Sequence, residues 1–162
     1  MSKSFDFIRL FEIVLAVIFL VSFDQCIKVY ISKVMLNNNF SDIKLLSLLN
    51  IVFVRNTGIS FGMLSEGGLL GRYFFSIFSI VVGIFLVGLA IFSEKKFLAI
   101  NLSLVAAGAF GNAIDRIYFG GVIDFIDFFI YSYHWPAFNF ADIFITLGVV
   151  ILLIDNIFCK KK

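Results

Sequence analysis

The chain has 162 residues and a mass of 18.3 kDa, a length that fits one domain. Hydrophobic residues make up 61% of it and charged residues 15%, with a mean hydropathy of +1.05. Soluble globular chains average roughly 45–50% apolar and about 25% charged, so composition excludes a water-soluble enzyme and places this chain in a bilayer. One Pro among 23 Phe also excludes a disordered or collagen-like chain. The net charge of +2 is too small and too dispersed for a nucleic-acid binder. Cys26 and Cys159 give neither a disulfide framework nor a zinc spacing, and His134 has no second histidine with which to share a metal. Beside Trp135, His134 reads as a member of an aromatic belt at the membrane surface.

In chain order, the first span is expected over about residues 10–30. Its uncharged run, Ile13 to Phe23, is only 11 residues long, so the helix must accept Glu12 at one end and Asp24 at the other. The N-terminus has no A-x-A-like cleavage site, which favours a retained anchor over a removed signal peptide. The segment 31–72 is not helical in pattern. Ile51-Val52-Phe53-Val54 is β-branched and aromatic, Asn56-Thr57-Gly58 signals a turn, and Ile59-Ser60-Phe61-Gly62 resumes an extended pattern. A small sheet at the membrane surface is the expectation there.

Tyr73 to Ser93 is free of charge for 21 residues, and Phe97 to Ile114 for 18, so spans are expected over 73–93 and 97–114. The next segment is 115–137; its aromatic and Ile-rich part, Ile123 to Tyr133, predicts a short helix along the interface. The last span is expected over 138–158, with Asp142 and Asp155 inside its ends. The fold class is therefore an integral membrane protein, mainly α. Its parts are four transmembrane helices, a small outer-face β-sheet and a short interfacial helix, with 1–162 forming one membrane-embedded domain. Lys3 and Arg9, Lys95 and Lys96, and Lys160, Lys161 and Lys162 flank the spans on one side. The positive-inside rule puts that side, and both termini, in the cytoplasm.

This topology gathers ionisable and amide groups at the outer end. Asp24 and Lys28 end the first helix and are i,i+4; Asn112, Asp115 and Arg116 end the third and are i,i+3,i+4; Asn139 and Asp142 start the fourth and are i,i+3. Asp124 lies in the adjoining outer segment. Such groups are costly near hydrocarbon and face partners in the bundle interior. Asp24–Lys28 and Asp115–Arg116 read as ion pairs or caps that tie helix ends to the sheet. Asp142 has no basic residue within four positions.

Without a metal cluster or a Ser/His/Asp set, the available chemistry is acid–base hydrolysis by two carboxylates. One stays protonated beside its like-charged neighbour while the other takes a proton from water. The spacing leaves open which of Asp115, Asp124, Asp127 and Asp142 form that pair.

Five boxes carry a family resemblance. Asp24-Gln25-Cys26-Ile27-Lys28 resembles D-Q-x-x-K, Asn56-Thr57-Gly58-Ile59-Ser60-Phe61 resembles N-x-G-x-x-F, and the stretch from Gly108 to Arg116 resembles G-x-x-G-N-x-x-D-R. Val122-Ile123-Asp124-Phe125 matches V-x-D-F, and Phe138-Asn139-Phe140-Ala141-Asp142 matches F-N-x-A-D. Each box is weak alone; together and in order they resemble bacterial signal peptidase II, the lipoprotein signal peptidase family. Ala107 stands where many members have a further Gly.

The resemblance implies an intramembrane aspartic endopeptidase of the bacterial cytoplasmic membrane, working near the outer face, sensitive to globomycin and free of cofactors. Its substrates would be diacylglyceryl-prolipoproteins, cut just before the lipidated cysteine, with membrane lipid and no obligate protein as its other partner. It makes Asp124 and Asp142 the catalytic pair and Asp127 a neighbour. Asn56, Gly58, Gly108, Asn112, Arg116, Asn139 and Ala141 would bind substrate or orient the pair, with Asp24, Lys28 and Asp115 supporting them. The alternative reading is a small four-helix transporter or channel subunit, which requires ionisable residues spread through the bilayer depth.

Overall fold

Residues 7–58 and 68–158 are described in the computed structural model of the chain. The expectations for Lys3, for Ile59 to Gly62, and for Cys159 to Lys162 fall outside them. Four helices, α1 (Phe7–Asn37), α2 (Gly68–Phe92), α3 (Lys96–Phe119) and α4 (Phe140–Phe158), are each long and apolar enough to cross a membrane. Helix α1 runs past its expected end near residue 30, and α3 past Ile114. In α3 the added turn carries Asp115, which is buried and paired, so the helix outlasts the apolar run that announced it.

Helix α3 is the centre of the bundle. In its most apolar stretch 61% of residues are buried, against 11–17% in the other three helices. Ala106, Ala107, Gly108, Ala109, Gly111 and Ala113 are all buried, and small side chains let helix backbones approach where lipid offers no hydrophobic drive to associate. A Cβ on Gly148 of α4 would lie 2.6 Å from the Val105 side chain, and one on Gly83 of α2 would lie 2.6 Å from the Phe110 ring. The outward faces of α1, α2 and α4 expose apolar side chains, including Phe19, Phe74, Phe85 and Leu153, as lipid-facing surfaces do.

A four-stranded antiparallel sheet sits at one end of the bundle in the order β1 (Ile43–Leu46), β2 (Leu49–Asn56), β3 (Val122–Ile130), β4 (Tyr133–His134). The expected strand at Ile51–Val54 and the sheet itself are present. The expected helix over Ile123 to Tyr133 is not: this stretch forms β3 and β4, joined at Tyr131, whose φ is +54°. The first half of β3 is buried on both faces, which hides the alternation that marks a strand and leaves a nearly unbroken apolar run.

The turn from α3 into β3 uses Gly120 in the left-handed region at φ +75°, a helix end that glycine makes without strain. Arg72 Nε donates to the Arg116 carbonyl at 2.6 Å, and its Nη2 donates to that of Ile117. Arg55 Nη1 donates to the Phe119 carbonyl at 3.4 Å. Two arginines thus serve the last turn of α3, which carries the negative end of the dipole, and the Arg116 carbonyl also accepts from the Gly120 N–H at 3.2 Å.

Candidate active site

Helix α4 begins with a reciprocal cap. Asn139 Oδ1 accepts from the Asp142 N–H at 3.0 Å, and Asp142 Oδ2 accepts from the Asn139 N–H at 3.2 Å. This is the capping-box geometry, with Asn and Asp in place of the usual Ser/Thr and Glu/Gln. The Ala141 N–H, also without a helical partner, donates to Asp24 Oδ1 at 3.0 Å. Asn139, Ala141 and Asp142 therefore all work at one helix end, and Phe140 packs edge-on against Phe23.

Beneath this lies a fully buried ionic layer. Lys28 Nζ is 2.7 Å from Asp24 Oδ2 and 2.7 Å from Asp115 Oδ2, and it donates to Asn112 Oδ1 at 3.4 Å. All three ammonium protons are used. Asp115 Oδ2 also accepts from the Ile123 N–H at 3.1 Å, which fixes the start of β3 to α3. The expected Asp24–Lys28 pair forms. Asp115 does not pair with Arg116, because residues adjacent on a helix point about 100° apart; Lys28 of α1 takes the place of Arg116. Arg116 Nη1 donates instead to the Asn112 carbonyl at 3.2 Å.

Gln25 has a role that its place in the first box does not announce. Its Nε2 donates to Asp115 Oδ1 at 2.9 Å and to the Gly111 carbonyl at 3.2 Å, stitching α1 to α3. Gly111 leaves room for this layer: a Cβ there would lie 2.8 Å from Asp24 Oδ2. Gly108 faces the Ala141 carbonyl, which an added Cβ would strike.

Two carboxylates rise from the layer toward one groove. Asp124, on β3, accepts from Asn139 Nδ2 at 2.7 Å through Oδ1 and from Asn56 Nδ2 at 3.1 Å through Oδ2. Asp142 Oδ1 accepts from Asn112 Nδ2 at 2.8 Å. Asn139 thus touches both carboxylates, and it also donates to Asn112 Oδ1 at 3.3 Å. Asn56 is held in turn by the Gly58 N–H, which donates to its Oδ1 at 3.1 Å in an Asx turn. Burial, and then the charge of Asp142, push the Asp124 carboxyl up from 3.8 to about 6.

The groove has a volume of about 740 Å³. Its polar lining includes Asn56, Asn112, Arg116, Asp124 and Asp142, and its apolar lining includes Phe78, Val82, Val105 and Leu147 from three helices. The geometry suits an extended polar chain at the two carboxylates with apolar groups running between the helices. Asp127, the third candidate carboxylate of this region, does not line the groove; it bonds Asn50 and His134. Among the described residues, no group of three or more His, Cys, Asp or Glu side chains is placed to hold a metal ion.

A family model described as "Signal peptidase (SPase) II" matches residues 15–158. The chain belongs to the signal peptidase II family. A lipoprotein signal peptidase of Thermodesulfovibrio yellowstonii is 38% identical over 150 residues, covering 93% of this chain and 97% of the relative. One of Cupriavidus pinatubonensis is 43% identical over 114 residues, covering 70% of this chain. The match spans 65% of that relative's length, a little under two thirds. A solved bacterial membrane enzyme superposes with a TM-score of 0.71 at 34% identity, covering 93% of this chain and 92% of its own. The five boxes that suggested the family contain the charged residues of the ionic layer and the five polar groove residues named above.

Proposed function

We propose that this multi-pass membrane protein is an aspartic endopeptidase that removes the signal peptide from diacylglyceryl-modified prolipoproteins, cutting before the lipidated cysteine. The observation that carries the reading is the shared amide. Asn139 bonds Asp124 of the sheet and caps α4 together with Asp142, so two carboxylates from separate elements face one groove.

In this reading the two acids divide the work. Asp142, in the first turn of α4, takes a proton from the attacking water. Asp124, whose carboxyl holds its proton more firmly than an ordinary aspartate, donates to the scissile carbonyl oxygen. Water adds to the carbonyl carbon to give a gem-diol. As it collapses the C–N bond breaks, Asp142 passes the proton it had taken to the leaving amine, and one diol hydroxyl returns a proton to Asp124. No covalent acyl-enzyme forms. Arg116 and the amides of Asn56 and Asn112 orient the peptide and the pair. Acyl chains of the substrate, anchored in the outer leaflet, set the depth of the scissile bond, and such positioning supplies much of the rate.

The membrane-embedded unit then works with its sheet at the outer face and both termini in the cytoplasm. Ionisable groups gathered at one end of the bundle support this over an ion path, because α2 carries no charged residue beyond Arg72. Cleavage of a purified diacylglyceryl-prolipoprotein, with globomycin as inhibitor, tests the reading. Release of the signal peptide just before the lipidated cysteine is expected. No cleavage by a folded, membrane-inserted protein contradicts it.

A further inference from the structure

One polar cluster of the sheet plays no part in the chemistry above. Asp127 on β3 is buried, and its Oδ2 accepts from Asn50 Nδ2 at 3.0 Å. His134 Nδ1 lies 2.9 Å from both Asp127 oxygens, and its ring stacks on Phe129 with centroids 5.2 Å apart and planes 17° apart. Asn50 pairs in register with Asp127, and Phe129 with His134. Residues two apart on a strand share a face, so the cluster crosses β2, β3 and β4 on one side of the sheet.

Strand β4 needs that help. It is only two residues long and pairs with β3 at two positions, a ladder too short to fix the segment after it. That segment is a wall of the groove: Trp135, Pro136, Ala137 and Phe138 line it together with Asp124 and Asp142. The far end of this wall is held where the Phe138 N–H donates to the Ile126 carbonyl at 3.1 Å and the Phe138 carbonyl accepts from the Ile126 N–H at 2.9 Å. The near end has the Trp135 N–H on the Phe128 carbonyl at 2.8 Å and, one residue earlier, the His134–Asp127 contact.

We propose that Asp127 and His134 are positioning residues: they clasp β4 to β3, hold the 135–138 wall in place, and so set how tightly substrate is bound rather than how fast it is cut. The substrate in this statement rests on the peptidase reading; the clasp itself does not. Asn50 completes the device by bonding Asp127 from the other side, which keeps the carboxylate aimed across the sheet.

Trp135 is the chain's single tryptophan, so the wall reports on itself without any substrate. The test uses the full chain in lipid nanodiscs, with acrylamide quenching of Trp135 as one readout and steady-state cleavage of a diacylglyceryl-prolipoprotein peptide as the other. His134→Phe keeps the stack on Phe129 and loses the bond to Asp127. His134→Asn places an amide N–H where Nδ1 stood. In His134→Phe the quenching constant should rise about two-fold or more and KM about three- to ten-fold, the scale of one hydrogen bond. In that variant kcat and the pH profile should stay as in the parent, and His134→Asn should return both readouts toward it. Unchanged quenching with unchanged KM in His134→Phe overturns the clasp, as does a fall in kcat at constant KM. If the parent chain cuts no lipidated peptide, the peptidase reading fails, and the quenching comparison still decides the clasp.

Discussion

Asn139 and Asp142 hold each other through two opposed hydrogen bonds, 3.0 and 3.2 Å long, between the side chain of each and the backbone N–H of the other. The same Asn139 side chain reaches Asp124 at 2.7 Å. A helix cap, needed by any buried helix start, has thereby become the bracket between two acids.

The bracket separates stability from activity. Asn139→Ala removes the cap and the donor to Asp124, and loss of such a cap costs about 1–2 kcal/mol. Asn139→Ser restores a good cap but is too short to reach Asp124. Thermal unfolding should therefore show Asn139→Ser recovering most of the stability lost in Asn139→Ala, while cleavage assays show both variants strongly impaired. Full activity in Asn139→Ser would mean that the bond to Asp124 is dispensable.

The buried ionic layer gives a second contrast. Asp115→Asn leaves Lys28 with one carboxylate instead of two, and breaking a buried pair typically costs about 3–5 kcal/mol. Lower yield and a lower Tm should accompany any loss of activity. Arg116→Gln, which touches no member of that layer through an ion pair, should disturb stability far less. An Asp115→Asn protein that is fully stable yet inactive would place Asp115 in the chemistry.

The sequence was most legible where lipid alone decides the residue types. Tyr73 to Ser93 is uncharged throughout, and α2 covers all of it but Ser93. Legibility failed where both faces are covered. In β3, Ile123 and Phe125 are buried on one face and Asp124 on the other, so the alternation expected of a strand vanishes. Asp127 and Asp124 cannot be told apart by spacing, because both are buried and both accept amide hydrogen bonds. Only the third dimension, in which Asp124 opens on the groove and Asp127 on β4, distinguishes them. The Asp115–Arg116 pairing misled because adjacency in sequence is not adjacency on a helix. Lys28, 87 positions earlier by numbering (115 − 28), is the true partner. Arg72 and Gln25 carried no clear sequence signal for their roles, although Gln25 stood inside a recognisable box.

A third prediction concerns pH and stability. The Asp124 carboxyl is pushed up to about 6 from 3.8 in the folded chain. The folded state therefore binds more protons than the unfolded state between those values, and stability falls as pH rises through that window. The contribution is on the order of 2–3 kcal/mol for a shift of this size. Melting curves from pH 4 to pH 7 should show this decline in the parent and a flatter dependence in Asp124→Asn. An equal slope in both would remove Asp124 as its source.

Cleavage by Asp124→Asn, Asp142→Asn and the double variant, each confirmed as folded and membrane-inserted, tests the two-carboxylate mechanism most directly. Asn keeps the size of Asp and its capacity to hydrogen-bond but cannot ionise. Each single variant should lose nearly all activity and the double variant should be no worse, because two groups that act as a unit are not additive. Asp127→Asn should keep substantial activity. The parent's pH–rate profile should be bell-shaped, with two apparent pKa values that belong to the pair, and neither single variant should retain that shape. Near-normal turnover by Asp124→Asn or by Asp142→Asn would contradict the mechanism outright.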